Sequence, residues 1–312
     1  MITYSIALRN KFRGISVREG MLFEGPAGWA EWSPFLDYDD AMCVSWLRAA
    51  REAAFEGWPA PVRSVIPVNC TVPAVGPERA AEIVRASGCG TAKVKVAEPG
   101  QTLADDMERL EAVRDAIGAG GKVRIDANGA WSVDQALHSL KELARFDLEY
   151  VEQPCPSVED LAAVRRRTDV LVAADESIRR AEDPLRVRTL EAADIAVLKV
   201  QPIGGVRACL DIAEQIGLPV VVSSALETSV GIAAGVALAA ALPELPYACG
   251  LATVSMFTTE VVAAPLLPVD GFLPVGQATP DPALLAASTA DPATTARWEA
   301  RLARVELLKE RG

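Results

Sequence analysis

Residues 91–96 read Thr-Ala-Lys-Val-Lys-Val, a short β-branched run with two lysines two positions apart. Side chains at i and i+2 of a strand share a face, so Lys93 and Lys95 project together. Two ammonium groups that close repel, and the cheapest relief is for one to lose its proton near neutral pH. A neutral lysine is a base. A lone Lys-x-Lys more often marks an exposed edge strand with both lysines in water. The pair gains its meaning from the strand-like runs farther along the chain.

Three of these runs end in a carboxylate: Val123-Arg-Ile-Asp126, Leu148-Glu-Tyr-Val-Glu152 and Val170-Leu-Val-Ala-Ala-Asp175. A fourth, Ile195-Ala-Val-Leu-Lys199, ends in a lysine, and an apolar run at 218–222 leads to Ser223. Asp126, Glu152, Asp175, Lys199 and Ser223 follow one another at intervals of 26, 23, 24 and 24 residues. One short β-branched run plus one helical segment per interval is the signature of parallel βα units, whose strand ends meet on one face. With 65–68 as the first strand, 91–96 as the second and 247–251 as the eighth, the units predict a closed α/β barrel of (β/α)8 type. Chemistry in such barrels gathers at the carboxyl ends of the strands, where Lys95, Asp126, Glu152, Asp175, Lys199 and Ser223 all fall.

The rest of the chain frames that barrel. Half of its 312 residues are apolar, enough for a sizeable core. The 31 basic against 42 acidic residues give a net charge of −11 with no basic stripe, which argues against nucleic acid and anionic membranes as partners. Six scattered cysteines without a C-x-x-C pair read as buried free thiols of a reducing cytoplasm. The start has no signal-peptide pattern, and the longest apolar stretch, 231–242, falls well short of the roughly 20 residues that span a bilayer. Strands are predicted at 4–8, 15–18, 21–24 and 29–32, with Gly25-Pro-Ala-Gly28 as a hairpin turn and a helix from Asp39-Asp40 to about Phe55. This small α+β unit, 1–62, is completed by 270–312, and 63–269 forms the barrel. Within the last segment, 270–282 reads as a linker and 293–309 as a helix with Trp298, Leu302, Val305 and Leu308 on one face.

A single acid at a strand end often only caps the next helix. Five charged groups at five successive strand ends are harder to dismiss, because buried without partners they would cost several kcal/mol each. Three carboxylates converging in one cavity repel, and a hard divalent cation with oxygen ligands compensates them. No histidine or cysteine lies at these ends, which argues against zinc and for Mg²⁺, with Mn²⁺ as a substitute. Two lysines on opposite sides of such a cation suggest removal of a proton next to a carboxylate, with the resulting enediolate stabilised by the cation.

The motifs Lys93-Val-Lys95, Arg124-Ile-Asp126-Ala-Asn128, Val151-Glu152-Gln-Pro154, Ala174-Asp175-Glu176-Ser177 and Leu198-Lys199-Val-Gln-Pro-Ile-Gly-Gly205 resemble the enolase superfamily, and specifically its muconate cycloisomerase subgroup. A lysine base working with Mg²⁺ is known for enolase-superfamily sites. The resemblance covers nearly the whole chain and implies a modified (β/α)7β barrel under an α+β capping domain. Arg9-Asn-Lys-Phe-Arg-Gly14 and Ser223-Ser224-Ala-Leu-Glu227 are most similar to the o-succinylbenzoate synthases of actinobacterial type. That likeness implies dehydration of 2-succinyl-6-hydroxy-2,4-cyclohexadiene-1-carboxylate, a small carboxylate, to o-succinylbenzoate in menaquinone synthesis.

Carried onto this sequence, the resemblance makes Lys95 the acid/base and Lys199 a cation on the opposite face of the ring. Lys93 helps to keep Lys95 neutral and touches the substrate carboxylate. Asp126, Glu152 and Asp175 hold the metal, and Glu176, pointing away along a regular strand, supports the site from behind. Arg124 and Asn128 share strand parity with Asp126 and are expected to face the cavity. Ser223, Ser224 and Gly250 are expected near the succinyl chain, although serine and glycine at strand ends also serve turns. Loop 9–14 resembles a lid over the barrel mouth, against a plain solvated hairpin as the alternative. His138, the only histidine, falls in a helical stretch at 132–143 and is expected on the surface.

An N-acylamino acid racemase or dipeptide epimerase would use the same metal triad and lysines. Dipeptide epimerases carry Asp-x-Asp on the eighth strand, whereas 247–252 reads Tyr-Ala-Cys-Gly-Leu-Ala, which weakens the epimerase and leaves the racemase open. A non-catalytic barrel used for binding predicts a broken set of active groups, and all five are present. The sequence leaves the oligomeric state open, a monomer included.

Overall fold

The structure is a computed structural model that describes residues 1–180 and 183–309. Strands β1 (Ile2–Phe12), β2 (Ile15–Gly25) and β3 (Gly28–Trp32) form an antiparallel sheet in that order, with the predicted turn between β2 and β3. The runs at 15–18 and 21–24 are one continuous strand, since Glu19 and Gly20 keep pairing with Ser5 and Tyr4. A helix, Cys43–Arg51, follows and packs this sheet, with Trp46 and Leu47 buried.

The next strand departs from expectation. Residues 65–68 do not open the barrel: β4 (Val65–Pro67) pairs antiparallel with a later strand at Phe272–Pro274, inside the stretch expected to be a linker. Each of these three-residue strands carries a proline, which cannot donate to a ladder and favours an edge ribbon over a barrel interior. The barrel instead begins at β5 (Cys70–Val72) and continues through β6 (Thr91–Lys95), β7 (Lys122–Asp126), β8 (Leu148–Glu152), β9 (Val172–Ala174), β10 (Ile195–Leu198) and β11 (Val220–Val222) as one parallel sheet in sequence order. The predicted eighth strand reduces to bridges: Gly250 pairs with Ser223 beyond β11, and Cys249 pairs with Val68 ahead of β5. These two residues bring the sheet edges together. A Cβ on Gly250 would lie 2.7 Å from Ser223 Oγ and 3.3 Å from its Cβ, so a larger residue at this closure point would displace the Ser223 hydroxyl.

Helices between the strands cover the barrel. Pro77–Ser87 starts on proline and ends at Gly88 with φ +65°, and Leu103–Ile117 and Val133–Leu143 each open on a capping box, at Thr102 and Ser132. The most apolar helix, Ser229–Ala241, is buried along nearly its whole length. Among the described residues no helix is long and apolar enough to cross a membrane. His138 is exposed, and all six cysteines are free and buried. In the last helix, Pro292–Lys309, Trp298, Leu302 and Val305 are buried while Leu308 is exposed, because the packing face runs out before the helix does.

Two carboxylates of the antiparallel unit fasten it to the barrel by capping barrel helices. Glu52 accepts from the Val206 and Arg207 amides at the start of Val206–Ile216. A Cβ on Gly205 there, at φ +129°, would lie 2.3 Å from Glu52 Oε2. Glu31 accepts from the Thr228 and Gly231 amides at the start of Ser229–Ala241, and Arg18 donates to the carbonyls of Ala225 and Leu226. Buried carboxylates on helix N-termini are favoured by both hydrogen bonding and the helix dipole.

Glu227 is buried beside Glu31 and accepts from the Ala225 amide. Burial, then the Glu31 charge, pushes its carboxyl up to about 7, against the opposing Arg18. A raised folded-state pKa favours folding below the unfolded value near 4.5, and that benefit is lost as pH rises through about 7. Replacing Glu227→Gln should therefore stabilise the protein at pH 8.5 relative to pH 5 by up to about 3 kcal/mol. Urea unfolding of both proteins at the two pH values measures this; an equal difference at both would contradict it.

Candidate active site

The barrel interior is layered by strand parity. Lys95, Asp126 and Glu152 end β6, β7 and β8 in paired register, and two positions down lie Lys93, Arg124 and Tyr150. The ammonium of Lys95 donates to Asp126 Oδ2 and, at 2.6 Å, to Asn128 Oδ1. Lys93 Nζ donates to both oxygens of Glu152 at 2.9 Å and stands 3.3 Å from Asp126 Oδ2. Across the barrel, Lys199 Nζ donates to Asp175 Oδ2 at 2.6 Å, and Arg179 Nε to Asp175 Oδ1 at 2.8 Å. All of these charged groups are buried.

The two neighbouring lysines differ in their electrostatics. Burial, then the positive charge of Lys93, lowers Lys95 against the pull of Asp126. Burial would lower Lys93 too, but Glu152 and Asp126 raise it above the usual lysine range. Lys93 therefore keeps its proton while Lys95 is eased toward the neutral form, with burial a larger cause than repulsion between the pair. Burial and the Asp126 charge raise Glu152 to about 7, opposed by Lys93. For Asp126 burial is overcome by Lys95 and Lys93, and for Asp175 by Arg179 and Lys199, so both are held below the ordinary carboxylate range.

A cavity opens above these groups. Lys93, Lys95, Asp126, Asn128, Lys199, Ser223, Ser224 and Gly250 line it, joined by Thr71, Arg179, Thr253 and, from the antiparallel unit, Phe12, Arg13 and Phe35. Glu152 and Asp175 are fully buried behind Lys93, Lys199 and Arg179. Glu176 lies in the short helix Glu176–Arg179, where its Oε1 accepts from Arg179 and Asn128. Arg124 corrects its expectation. It has the expected inward parity but sits a layer below the cavity, where its guanidinium donates to Glu149, Asn69 and the Ala248 carbonyl and lies over the Tyr150 ring.

Among the described residues, no three His, Cys, Asp or Glu side chains are gathered tightly enough to encircle an ion as they stand. Each strand-end carboxylate instead holds an ammonium. The donor set nevertheless suits a divalent cation: it is all oxygen, it is buried, and one cation, Lys93 Nζ, already bridges Asp126 and Glu152.

The Enolase N-terminal domain-like family matches residues 3–54 and the Enolase C-terminal domain-like family residues 77–280. The o-succinylbenzoate synthase of Thermobifida fusca is 64% identical over 96% of this chain and 94% of its own length. That of Mycolicibacterium smegmatis is 55% identical over 94% and 91%. The chain belongs to the enolase superfamily, in its o-succinylbenzoate synthase family. The muconate lactonizing enzyme of Pseudomonas fluorescens shares the fold with a TM-score of 0.80, covering 93% of this chain and 97% of that one at 20% identity. An N-succinyl Arg/Lys racemase of Bacillus cereus aligns with a TM-score of 0.77 over 93% and 96% at 21% identity. Fold neighbours thus include proteins named for other reactions, so the fold alone does not select the chemistry. O-succinylbenzoate synthases are lyases, and enolase-superfamily enzymes generally use Mg²⁺.

In this family member the β1–β2 tip fills the barrel mouth. Phe12 lays its ring 5.4 Å from Lys95 Nζ, and the Arg13 guanidinium lies 4.3 Å from the Phe35 ring centre. The space left is about 30 Å³, far below the roughly 300 Å³ at which ligand pockets begin. Part of this lining has to give way for a ligand of ordinary size, and the tip, a two-residue turn between β1 and β2, is the part expected to do so. Phe12→Ala or Arg13→Ala should raise KM by roughly tenfold with little change in melting temperature. Steady-state kinetics and thermal melts check this, and unchanged kinetics in both variants would mark a plain hairpin.

Proposed function

We propose that this chain catalyses the Mg²⁺-dependent syn dehydration of 2-succinyl-6-hydroxy-2,4-cyclohexadiene-1-carboxylate to o-succinylbenzoate. The observation that carries the reading is the asymmetric lysine pair at the mouth of a charge-balanced barrel, in a chain 64% identical to a protein of that activity by name. Neutral Lys95 takes the proton from the carbon bearing the carboxylate. As the carbon–oxygen bond breaks on the same face, the departing hydroxide takes that proton back from Lys95 and leaves as water. The ring becomes aromatic, and no second base is needed.

Asp126, Glu152 and Asp175 would hold the Mg²⁺, with Mn²⁺ as a substitute. When bound, the divalent cation supplies positive charge where the substrate carboxylate gathers negative charge on losing its neighbouring proton. Lys199 faces the ring from the other side as a fixed cation. Lys93 stays protonated and favours neutral Lys95. Asn128, Ser223, Ser224 and the bare surface of Gly250 contact the substrate, and Glu176 steadies Asn128. Arg124 acts from beneath, as a packed floor. We place the enzyme in the cytoplasm, with six free buried thiols in support, acting on a small carboxylate without nucleic acid or membrane.

A second reading, racemisation of N-acylamino acids, draws on Lys95 and Lys199 lining the same cavity from different strands. The two readings separate by mutation. Lys95→Ala should remove dehydration almost completely. Lys199→Arg keeps a cation but exchanges protons poorly, so it should retain measurable dehydration and lose any racemisation. Assays of both variants on the cyclohexadiene and on N-succinylamino acids, under saturating Mg²⁺, test this. Dehydration surviving in Lys95→Ala would overturn the assignment, as would racemisation surviving in Lys199→Arg. Excess chelator should abolish activity in the unmodified protein and Mg²⁺ or Mn²⁺ restore it; full activity in chelator would remove the metal from the scheme.

A further inference from the structure

Arg179 lines the catalytic cavity without a part in the chemistry above. Its guanidinium is spent on three acceptors. Nε donates to Asp175 Oδ1 at 2.8 Å, Nη2 to Glu176 Oε1 at 2.5 Å, and Nη1 to the hydroxyl of Tyr38. Tyr38 belongs to the segment that follows β3, on the capping side. Its ring meets Trp46 edge-on at 5.6 Å, and its carbonyl accepts from Arg301 of the last helix at 2.7 Å. The hydroxyl position is therefore set by capping elements, while the other two acceptors, Asp175 and Glu176, lie at the turn from β9 into the helix Glu176–Arg179. From Glu176 Oε1 the chain of bonds runs on through Asn128 to Lys95.

We propose that Arg179 is a positioning residue through which the seating of the capping domain sets the cation affinity of Asp175, with Tyr38 as its contact on the capping side. The inference rests on Asp175 being a ligand of the divalent cation. Arg179 occupies Oδ1 and leaves Oδ2, the oxygen Lys199 now holds, as the one free to exchange an ammonium for a metal. The fork geometry is what matters, because the three bonds leave from three different nitrogens held in one plane, a spread that the single nitrogen of an ammonium cannot reproduce. Charge alone would act in the opposite sense. A cation beside the ligand repels the metal, so a role of charge only predicts unchanged affinity when lysine replaces arginine, and positioning predicts a loss.

The test is direct titration of the metal-free full chain with Mn²⁺, following the free ion by electron paramagnetic resonance. Tyr38→Phe touches neither Asp175 nor the cavity floor and deletes a single hydroxyl, which keeps the fold. Arg179→Lys should raise the Mn²⁺ Kd about tenfold, the usual scale for losing a partner of a metal ligand. Tyr38→Phe should raise it in the same direction by a smaller factor. The double variant should bind no worse than Arg179→Lys alone, since both changes cut one path. An unaltered Kd in Tyr38→Phe overturns the proposal, even if its melting temperature falls, and so do additive losses or tighter binding in Arg179→Lys. Absence of Mn²⁺ binding by the unmodified protein overturns the ligand assignment of Asp175 instead, so the two failures are distinguishable.

Discussion

Buried charge compensation inside the barrel is the constraint on which the rest of the molecule depends. Asp126, Glu152 and Asp175 are fully enclosed, and a carboxylate there without a partner would neutralise itself or cost several kcal/mol. Lys93, Lys95, Lys199 and Arg179 supply the partners. Removing one member of such a pair leaves the other uncompensated, typically at about 3–5 kcal/mol. The same lattice also prepares chemistry: it holds Lys93 charged and Lys95 eased toward neutrality, from two lysines in one strand two residues apart.

The lattice needs a dry mouth, and the capping domain supplies it. Glu31 and Glu52 reach from the antiparallel unit onto the N-termini of two barrel helices, and Arg18 grips the carbonyls of Ala225 and Leu226. These bonds fix the loop beyond β11 that presents Ser223 and Ser224 to the cavity. The β1–β2 tip completes the wall with Phe12 and Arg13. One unit therefore both anchors the cavity's loop and walls its mouth, while the buried charges it encloses sit at the ends of barrel strands.

Much of this was legible from periodicity. Strand-end groups recurring every two dozen residues located Asp126, Glu152, Asp175 and Lys199 at one end of one sheet, because a regular βα unit fixes where each strand stops, and the Lys-x-Lys strand ahead of them added Lys95. The failures share a cause in local exceptions to that rule. The segment 65–68 looked like a barrel strand by composition, but Pro67 and a partner strand 205–209 residues away, itself proline-bearing, made it an edge ribbon. Arg124 had the right parity and the wrong depth, which parity alone does not report. Arg179 carried one faint signal, its place four residues after Asp175 in a short helix; Phe35, Thr71 and Thr253 carried none, since long-range packing brings them to the cavity. The tip residues Phe12 and Arg13 were visible only through family likeness.

The account turns on the strand-end carboxylates exchanging their ammonium partners for a divalent cation while the two lysines keep opposite faces of the substrate. A crystal structure of the protein grown with Mg²⁺ and o-succinylbenzoate tests this most directly. The account predicts one Mg²⁺ ligated by Asp126, Glu152 and Asp175, with Lys95 and Lys199 on opposite faces of the bound product. Carboxylates still paired to lysines around an occupied product site, with Mg²⁺ elsewhere or absent, would contradict it.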